Sequence, residues 1–301
     1  MQSYTVEPRM TDEECDALCG ARLAPASYDT VFRRSVKLLK PDGSLLAVYL
    51  REALPEDQTL SAYPVFRAME GAPTNRGIST IGRRPNVRIK ADGSKSKTSA
   101  IRVSELKAHG MEHAVSGVMG FMDRYSRMPY CRTTAFNMDH ADLFNEAMPF
   151  IRTVDGLFAE HAPERYAAQL SVCDRTSKDF IIPGTVFTTI TVNRNYPTRV
   201  HKDQGDLKEG FGVMTVFRKG HYSGSHFVLP KYRVAFDMGN RDLLLADVHE
   251  WHGNTDIVGD KKRFERISCV FYYREHMVSC GTAEQELARA KGRLPGQRLR
   301  D

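Results

Sequence analysis

Hydrophobic and polar residues alternate in short runs along the second half of the chain. Such runs, separated by Gly, Pro, Asn and Asp, are typical of antiparallel strands. They predict six strands, at residues 185–195, 212–218, 225–229, 234–237, 243–248 and 266–274. This pattern favours a β-rich region over 181–281, built as an antiparallel barrel or jelly roll.

The first half of the chain mixes helical and extended patterns. Thr11 and Glu14 have the spacing of a capping box and predict the start of a helix. Apolar runs at 36–39 and 45–50 flank a Pro-Asp-Gly-Ser turn sequence, which predicts a hairpin.

Helical spacing of apolar residues returns at 139–161, and Pro163 predicts the start of a second helix over 164–172. We therefore expect an N-terminal mixed α/β portion, residues 1–180, packed on the β-rich region at 181–281. Residues 282–301 are expected to form a basic C-terminal tail. The whole chain is predicted to be one compact unit of the α+β class.

The composition is that of an ordinary globular protein, with 41% hydrophobic and 27% charged residues among 301. No apolar tract approaches the roughly 18 residues of a membrane-spanning helix, so no membrane partner is predicted. The first residues lack the layout of a secretory signal, which favours a cytoplasmic, reducing location. The six cysteines have scattered spacings, so we interpret all of them as thiols without a disulfide framework.

Positive charge is concentrated in one part of the chain. The net charge is +6, and residues 76–102 contain eight Lys and Arg against a single acid, Asp92. Glycines and a proline within this stretch predict a loop region that can bind phosphates. A solvated surface loop with no ligand explains the same pattern equally well.

The candidate chemistry begins with His201 and Asp203, which lie two residues apart where a predicted strand ends. Side chains at this spacing share one face of an extended segment. With His252 they form a set of two histidines and one carboxylate, which binds Fe(II) and leaves the opposite positions open. His249 is the competing choice for the distal ligand, and most His-x-Asp sequences taken alone bind nothing.

A candidate cosubstrate site follows in the last predicted strand. Arg266 and Ser268 share a face there, and a guanidinium beside a hydroxyl suits a carboxylate such as that of 2-oxoglutarate. The alternative is that Arg266 reaches the surface and pairs with Glu265 or Asp260. The ordered set of ligands and Arg266 favours the first interpretation.

The same order of residues resembles the TET/JBP family of Fe(II)- and 2-oxoglutarate-dependent dioxygenases, which oxidise the 5-methyl group of pyrimidines in DNA. The resemblance is carried by residues 191–195, 201–206, 228–232, 247–255 and 266–272. Weaker similarity to the compact phage and bacterial members extends to residues 75–77 and 129–136.

This resemblance implies a double-stranded β-helix core with Fe(II) on His201, Asp203 and His252, and with 2-oxoglutarate and O2 as cosubstrates. It also implies that Arg266 and Ser268 bind 2-oxoglutarate. Asn193 and Asn195 either assist them or end a solvated strand.

The implied partner is DNA that carries a 5-methylpyrimidine, with no protein partner indicated. The preferred reaction is 5-methylcytosine to 5-hydroxymethylcytosine. The alternatives are thymine hydroxylation, oxidation of a free nucleotide or small molecule, and a non-catalytic DNA-binding barrel. A base in a duplex must swing out to reach iron, and the candidate contacts for it are Asn75, Arg76, Tyr130, Asp206 and Trp251. Asp206 has two further interpretations, contact with the cosubstrate or capping of its own loop.

Overall fold

The computed structural model describes residues 1–69, 115–125 and 128–292, with the backbone of a short ladder at 88–89 and 95–96. Its helices are α1 (Asp12–Ala17), α2 (Glu56–Arg67), α3 (Ala135–Asp139), α4 (Ala141–Glu146), α5 (Met148–His161), α6 (Pro163–Asp174) and α7 (Ala283–Gly292). Its strands are β1 (Gln2–Thr5), β2 (Thr30–Phe32), β3 (Val36–Leu39), β4 (Leu45–Leu50), β5 (Arg88–Ile89), β6 (Lys95–Ser96), β7 (Val115–Met122), β8 (Arg132–Thr133), β9 (Thr189–Arg194), β10 (Gly212–Gly220), β11 (Ser223–Gly224), β12 (Phe227–Leu229), β13 (Val234–Phe236), β14 (Leu243–Ala246), β15 (Gly253–Asn254), β16 (Ile257–Val258) and β17 (Phe264–Tyr272).

A large sheet forms the framework of the protein. Among the described strands its order is β1-β3-β4-β14-β10-β17-β9-β7-β8, and its centre is antiparallel throughout. A smaller sheet has the order β15-β12-β13-β2. Apolar side chains from both sheets meet in one buried cluster, which includes Met214 and Val216 from the large sheet and Phe227 and Phe236 from the small one. These two layers confirm the predicted jelly-roll core.

Helices cover the other face of the large sheet. Phe66 of α2 lies 5.5 Å from Phe217 of β10 and 6.3 Å from Phe271 of β17, measured between ring centroids. Phe150 of α5 lies 5.6 Å from the same Phe217. Helices on one face of a mostly antiparallel sheet confirm the predicted α+β class.

The helix predicted over 139–161 is divided in the structure. One helix ends at Glu146 and the next begins at Met148, with Pro149 in its first turn. Proline has no amide proton to donate to the carbonyl four residues earlier, so it stops the first helix and starts the second. The predicted capping box at Thr11 and Glu14 is present, with both of its hydrogen bonds.

The N-terminal portion contributes strands directly to both sheets. Strands β1, β3 and β4 extend the large sheet beyond β14, and β2 pairs with β13 in the small one. The predicted hairpin is the β3–β4 pair. The domain boundaries at residues 180 and 281 stay predictions.

The expectation that all six cysteines are thiols is wrong. Cys131 and Cys280 form a disulfide, with their Cα atoms 5.8 Å apart and a sequence separation of 149. The other four cysteines are buried thiols. Sequence spacing does not encode a contact over such a distance, because only the fold brings the start of the last helix against the β8 region.

A membrane-crossing helix is not found in the described part of the chain, where no helix combines the necessary length and apolar character.

Candidate metal centre and cosubstrate cavity

A cavity of about 190 Å³ lies between the two sheets. The large sheet supplies one wall, in which Arg266, Ser268, Val270 and Tyr272 occupy alternate positions of β17. The smaller sheet supplies Phe227 and the segment around His252. The alternation predicted for this strand therefore places its polar residues in one cavity.

His201, Asp203 and His252 converge at one end of this cavity. One ligand atom from each lies within 4.8 Å of the other two. The backbone sets this arrangement, because His201 and His252 face each other across an antiparallel bridge with N···O distances of 2.9 and 3.0 Å. The amide of Asp203 donates to the carbonyl of Val248 at 3.1 Å. His201 and His252, which are 51 positions apart in sequence, are thus held side by side.

Both imidazoles are oriented by hydrogen bonds to the backbone. Nδ1 of His201 lies 2.7 Å from the carbonyl of Arg199, and Nδ1 of His252 lies 2.9 Å from that of Glu250. A carbonyl can only accept, so in each ring Nδ1 is the donor and Nε2 is the nitrogen left to bind a metal. The two Nε2 atoms lie 3.4 and 3.7 Å from the carboxylate oxygens of Asp203.

The protonation state of His252 suits a metal ligand. Burial, with a further contribution from His201, lowers the pKa of His252 to about 4. Its ring is therefore neutral near pH 7 and stacks on Phe227, with 5.3 Å between centroids. Two imidazoles and one carboxylate match the donor set of non-haem Fe(II) and leave room toward the cavity.

The loop that carries His252 is braced by a buried ion cluster. Nζ of Lys40, at the end of β3, donates to Asp247 at 2.9 Å and to Glu250 at 2.7 Å. Their side chains are 17%, 9% and 13% exposed, respectively. Because the carbonyl of Glu250 also orients the ring of His252, the cluster supports a candidate ligand from outside the cavity.

Arg266 is a buried cation with no anionic partner among the described residues. The residue is 3% exposed, and within the described ranges no Asp or Glu pairs with its guanidinium. Burial lowers its pKa, and Tyr222 is the group that most opposes this shift. A buried charge needs a counter-charge. The cavity beside Arg266 and Ser268 is thus suited to a carboxylate, and the proposed surface ion pairs to Glu265 or Asp260 are not formed.

Asn193 and Asn195 occupy different environments. Asn193 lines the cavity and accepts a hydrogen bond from Ser116 at 2.7 Å. Asn195 has a left-handed backbone, with φ of 48°, and accepts from the amide of Arg266 at 2.7 Å. The strand ends at Arg194, and the side chain of Asn195 is not among those that line the cavity.

Several other candidate residues are not brought to the site. Trp251 is buried beneath the small sheet against Val200 and Val228, because its hydrophobic ring completes a separate cluster. Tyr130 does not line the cavity. The competing histidine, His249, is directed at the carbonyl of Leu207, 3.1 Å away. Asn75 and Arg76 lie outside the described residues, as does the basic stretch 76–102 except for the backbone of β5 and β6.

Asp206 does line the cavity, and the structure adds Arg274 to the same wall. The two residues face each other across a backbone bridge. Nε of Arg274 donates to the buried carboxylate of Asp123 at 2.7 Å, which fixes the guanidinium in place. The sequence contained a signal for Arg274, because it continues the alternation of Arg266, Ser268 and Tyr272.

The jelly roll and its two-histidine, one-carboxylate centre define the class of mononuclear iron oxygenases. A family model, Tet_JBP, described as the oxygenase domain of the 2OGFeDO superfamily, matches residues 118–275. The chain therefore belongs to the Tet_JBP family. The predicted resemblance is confirmed, as are Fe(II) and 2-oxoglutarate, the cofactors of that superfamily.

Curated relatives include "Bifunctional helicase and thymine dioxygenase JBP2" of Leishmania tarentolae, 30% identical over 260 residues, covering 85% of this chain and 20% of that protein. "Thymine dioxygenase JBP1" of Trypanosoma brucei brucei is 35% identical over 182 residues, covering 58% and 21%. The chain thus spans about a fifth of the length of these relatives. A solved structure, "NgTET1 in complex with 5mC DNA", matches with a TM-score of 0.61 at 13% identity, over 97% of this chain and 91% of that one. This match shows a shared fold.

Proposed function

We propose that the chain is an Fe(II)- and 2-oxoglutarate-dependent dioxygenase that hydroxylates the 5-methyl group of a pyrimidine in DNA. One observation carries the proposal. A centre suited to Fe(II), at His201, Asp203 and His252, faces the same cavity as the buried Arg266, which has no counter-charge among the described residues. A catalytically inactive DNA-binding barrel would leave this combination without a purpose.

Each residue has a defined task in this proposal. His201, Asp203 and His252 hold Fe(II), and Arg266 with Ser268 binds the distal carboxylate of 2-oxoglutarate. Together, bound Fe(II) and 2-oxoglutarate supply the oxidising power that converts a methyl group to a hydroxymethyl group with O2. The protein contributes position, because a displacement of about 1 Å can cost roughly a hundredfold in rate.

DNA as the substrate is supported by the family and by the named relatives. The JBP1 and JBP2 relatives are thymine dioxygenases, and the solved TET structure contains 5mC DNA. A free nucleotide is the alternative, and it predicts no salt-dependent affinity for DNA. The cavity of about 190 Å³ has no room for a duplex. The reacting base therefore enters by leaving the stack.

Asp206 and Arg274 are positioned to bind the pairing edge of that base. A carboxylate accepts and a guanidinium donates, so the pair suits an edge with a donor beside an acceptor. Thymine and 5-methylcytosine both present such an edge. The sequence alone favoured 5-methylcytosine, whereas the sequence relatives favour thymine. Contacts from Asn75 and Arg76, and a cytoplasmic location, stay predictions.

The test uses purified protein, Fe(II), 2-oxoglutarate and two duplexes, one with 5-methylcytosine and one with thymine as its only 5-methylpyrimidine. Mass spectrometry of the nucleosides identifies the hydroxymethyl product. We expect His201→Ala to abolish it, while the matched control His249→Ala retains it. If the His201→Ala protein still couples 2-oxoglutarate decay to base oxidation, the proposed centre is wrong. If neither duplex is oxidised but free nucleotides are, the DNA substrate is wrong.

A further inference from the structure

A second cleft, of about 660 Å³, lies at the edge of the large sheet. Its walls include Lys219 and Glu265, which pair across β10 and β17. The next pair along these strands is Arg218 and Arg266, and Arg266 faces the cosubstrate cavity. Because side chains alternate along strands, this second cleft opens on the helix-bearing face, away from the proposed active site.

The cleft gathers positive charge from separate parts of the fold. Six cationic side chains line it, together with a single carboxylate, that of Glu265. The cations are Arg67 of α2, Arg194 of β9, Lys219 of β10 and Lys261, Lys262 and Arg263 of the turn before β17. Residues separated by almost 200 positions converge here, so the charge is a property of the fold rather than of one basic run.

Glu265 does not neutralise the whole set. It accepts from Arg194 at 2.7 Å, lies 3.3 Å from Arg67 and accepts a hydrogen bond from the hydroxyl of Tyr63. Burial, with the hydrogen bond to Glu265, raises the pKa of Tyr63 to about 12, so its hydroxyl remains a donor. The carboxylate of Glu265 is therefore fully engaged by Tyr63, Arg67 and Arg194, and it orients the two guanidinium groups.

Two cations at the mouth of the cleft, Lys219 and Lys262, remain available to a ligand. Lys219 is exposed, with its Nζ 3.7 Å from the ring centroid of Tyr63. Lys262 is also exposed. Neither makes an ion pair with a residue of the described ranges. Arg263 faces Asp260 at 3.4 Å, but both side chains are more than half exposed, and such pairs contribute little.

We propose that this cleft binds the phosphodiester backbone of nucleic acid, as a contact separate from the proposed active site. The choice of partner rests on the proposed function, in which DNA is the substrate. Oriented guanidinium forks and exposed lysines bind phosphates and release counterions from DNA. A contact on this face would engage long DNA without reading the base that reacts.

The experiment measures affinity for unmodified duplex DNA without Fe(II) or 2-oxoglutarate, at several salt concentrations. The test variant is Lys219→Glu with Lys262→Glu. The matched control is Arg175→Glu with Lys178→Glu, which changes the net charge equally on the exposed surface at the end of α6. Thermal melting of both variants establishes that they are folded.

We expect the cleft variant to bind a duplex of about 40 base pairs about 10-fold more weakly than the control does. The slope of log K against log salt should also fall by about 1 to 2 relative to the control. Hydroxylation of a short oligonucleotide, of about 8 nucleotides, should stay within about twofold of wild type because the contact is remote.

Two results would overturn the inference: equal losses of affinity in the two variants, or an unchanged affinity in the cleft variant. The binding assay needs no turnover, so it stands apart from the proposed function. If no base is oxidised and yet the cleft variant alone loses DNA affinity, the function is wrong and the cleft assignment holds.

Discussion

Replacing Lys40 with methionine tests whether the ion cluster holds the loop that carries His252. Methionine keeps most of the volume of the lysine stem and removes its charge. The change leaves Asp247 and Glu250 buried without their shared cation. Neither residue is a candidate metal ligand, so any effect on metal binding is transmitted by the loop.

The expected loss of stability follows from the contacts. Removing one partner from a buried ion pair costs about 3–5 kcal/mol. Here Glu250 keeps weaker partners, the hydroxyl of Tyr232 at 3.3 Å and Nζ of Lys231 at 4.0 Å. The lower limit therefore applies, about 3 kcal/mol, which corresponds to a decrease in Tm of about 5–10 °C. Looser support of His252 should also weaken Fe(II) binding by about 10- to 100-fold.

Titration of Fe(II) into the protein with 2-oxoglutarate present, followed by absorbance, measures the affinity, and calorimetry measures the melting. Lys40→Arg should retain part of the Fe(II) affinity and part of the thermal stability, because arginine keeps the positive charge. Lys231→Met is the control, since this lysine pairs mainly with the exposed Asp12 at 2.7 Å. If Lys40→Met melts and binds Fe(II) as the wild type does, the cluster does not position His252.

The pH dependence of the Lys40 effect has a defined sign. Burial alone would lower the pKa of Lys40, but the hydrogen bonds that it donates to Glu250 and Asp247 raise it above its ordinary 10.5. A raised pKa stabilises the folded state below 10.5, and this contribution disappears as pH rises through the folded-state pKa. The difference between wild type and Lys40→Met should be constant from about pH 7 to about pH 9 and shrink above 10.5.

Three further predictions concern other parts of the site and its support. Arg266→Met should raise the KM for 2-oxoglutarate by about 100-fold, measured by steady-state kinetics. The same variant should keep its Fe(II) affinity within about threefold of wild type, measured by metal titration. Equal losses of 2-oxoglutarate and Fe(II) affinity would contradict the assigned role. Reduction of the Cys131–Cys280 disulfide should lower the free energy of unfolding by about 2–4 kcal/mol. The Tm of the wild type should therefore fall when a reductant is added, whereas the Tm of a variant with serine at both positions should not change. Asp123→Asn should release Arg274 and raise the KM for DNA more than that for 2-oxoglutarate, and the opposite ranking would refute its proposed contact with the base.

The sequence was sufficient for the features that local pattern encodes. Alternation predicted six strands in the β-rich region, which correspond to β9, β10, β12, β13, β14 and β17, and it missed the two-residue strands β11, β15 and β16. Strand β17 presents Arg266 and Ser268 on one face, as expected. Strand ends were less accurate. The predicted strand at 185–195 begins only at Thr189, because the chain turns at Gly184, where φ is 75°.

Features created by distant contacts were beyond the reach of the pattern. The disulfide joins residues 149 positions apart, and Lys40 meets Asp247 only after β4 pairs with β14. The aromatic candidates failed for a related reason. Trp251 lies next to His252 in sequence, yet burial against Val200 draws its ring away from the cavity.

The pairing of β4 with β14 has a practical consequence for anyone who trims this protein for expression. A fragment confined to residues 118–275 would keep every candidate ligand and would lose β1, β3 and β4. Strand β14 would then present an unpaired hydrophobic edge, which invites aggregation. If such a fragment is insoluble or binds little iron, the cause would therefore be the missing strands and not the chemistry of the intact chain.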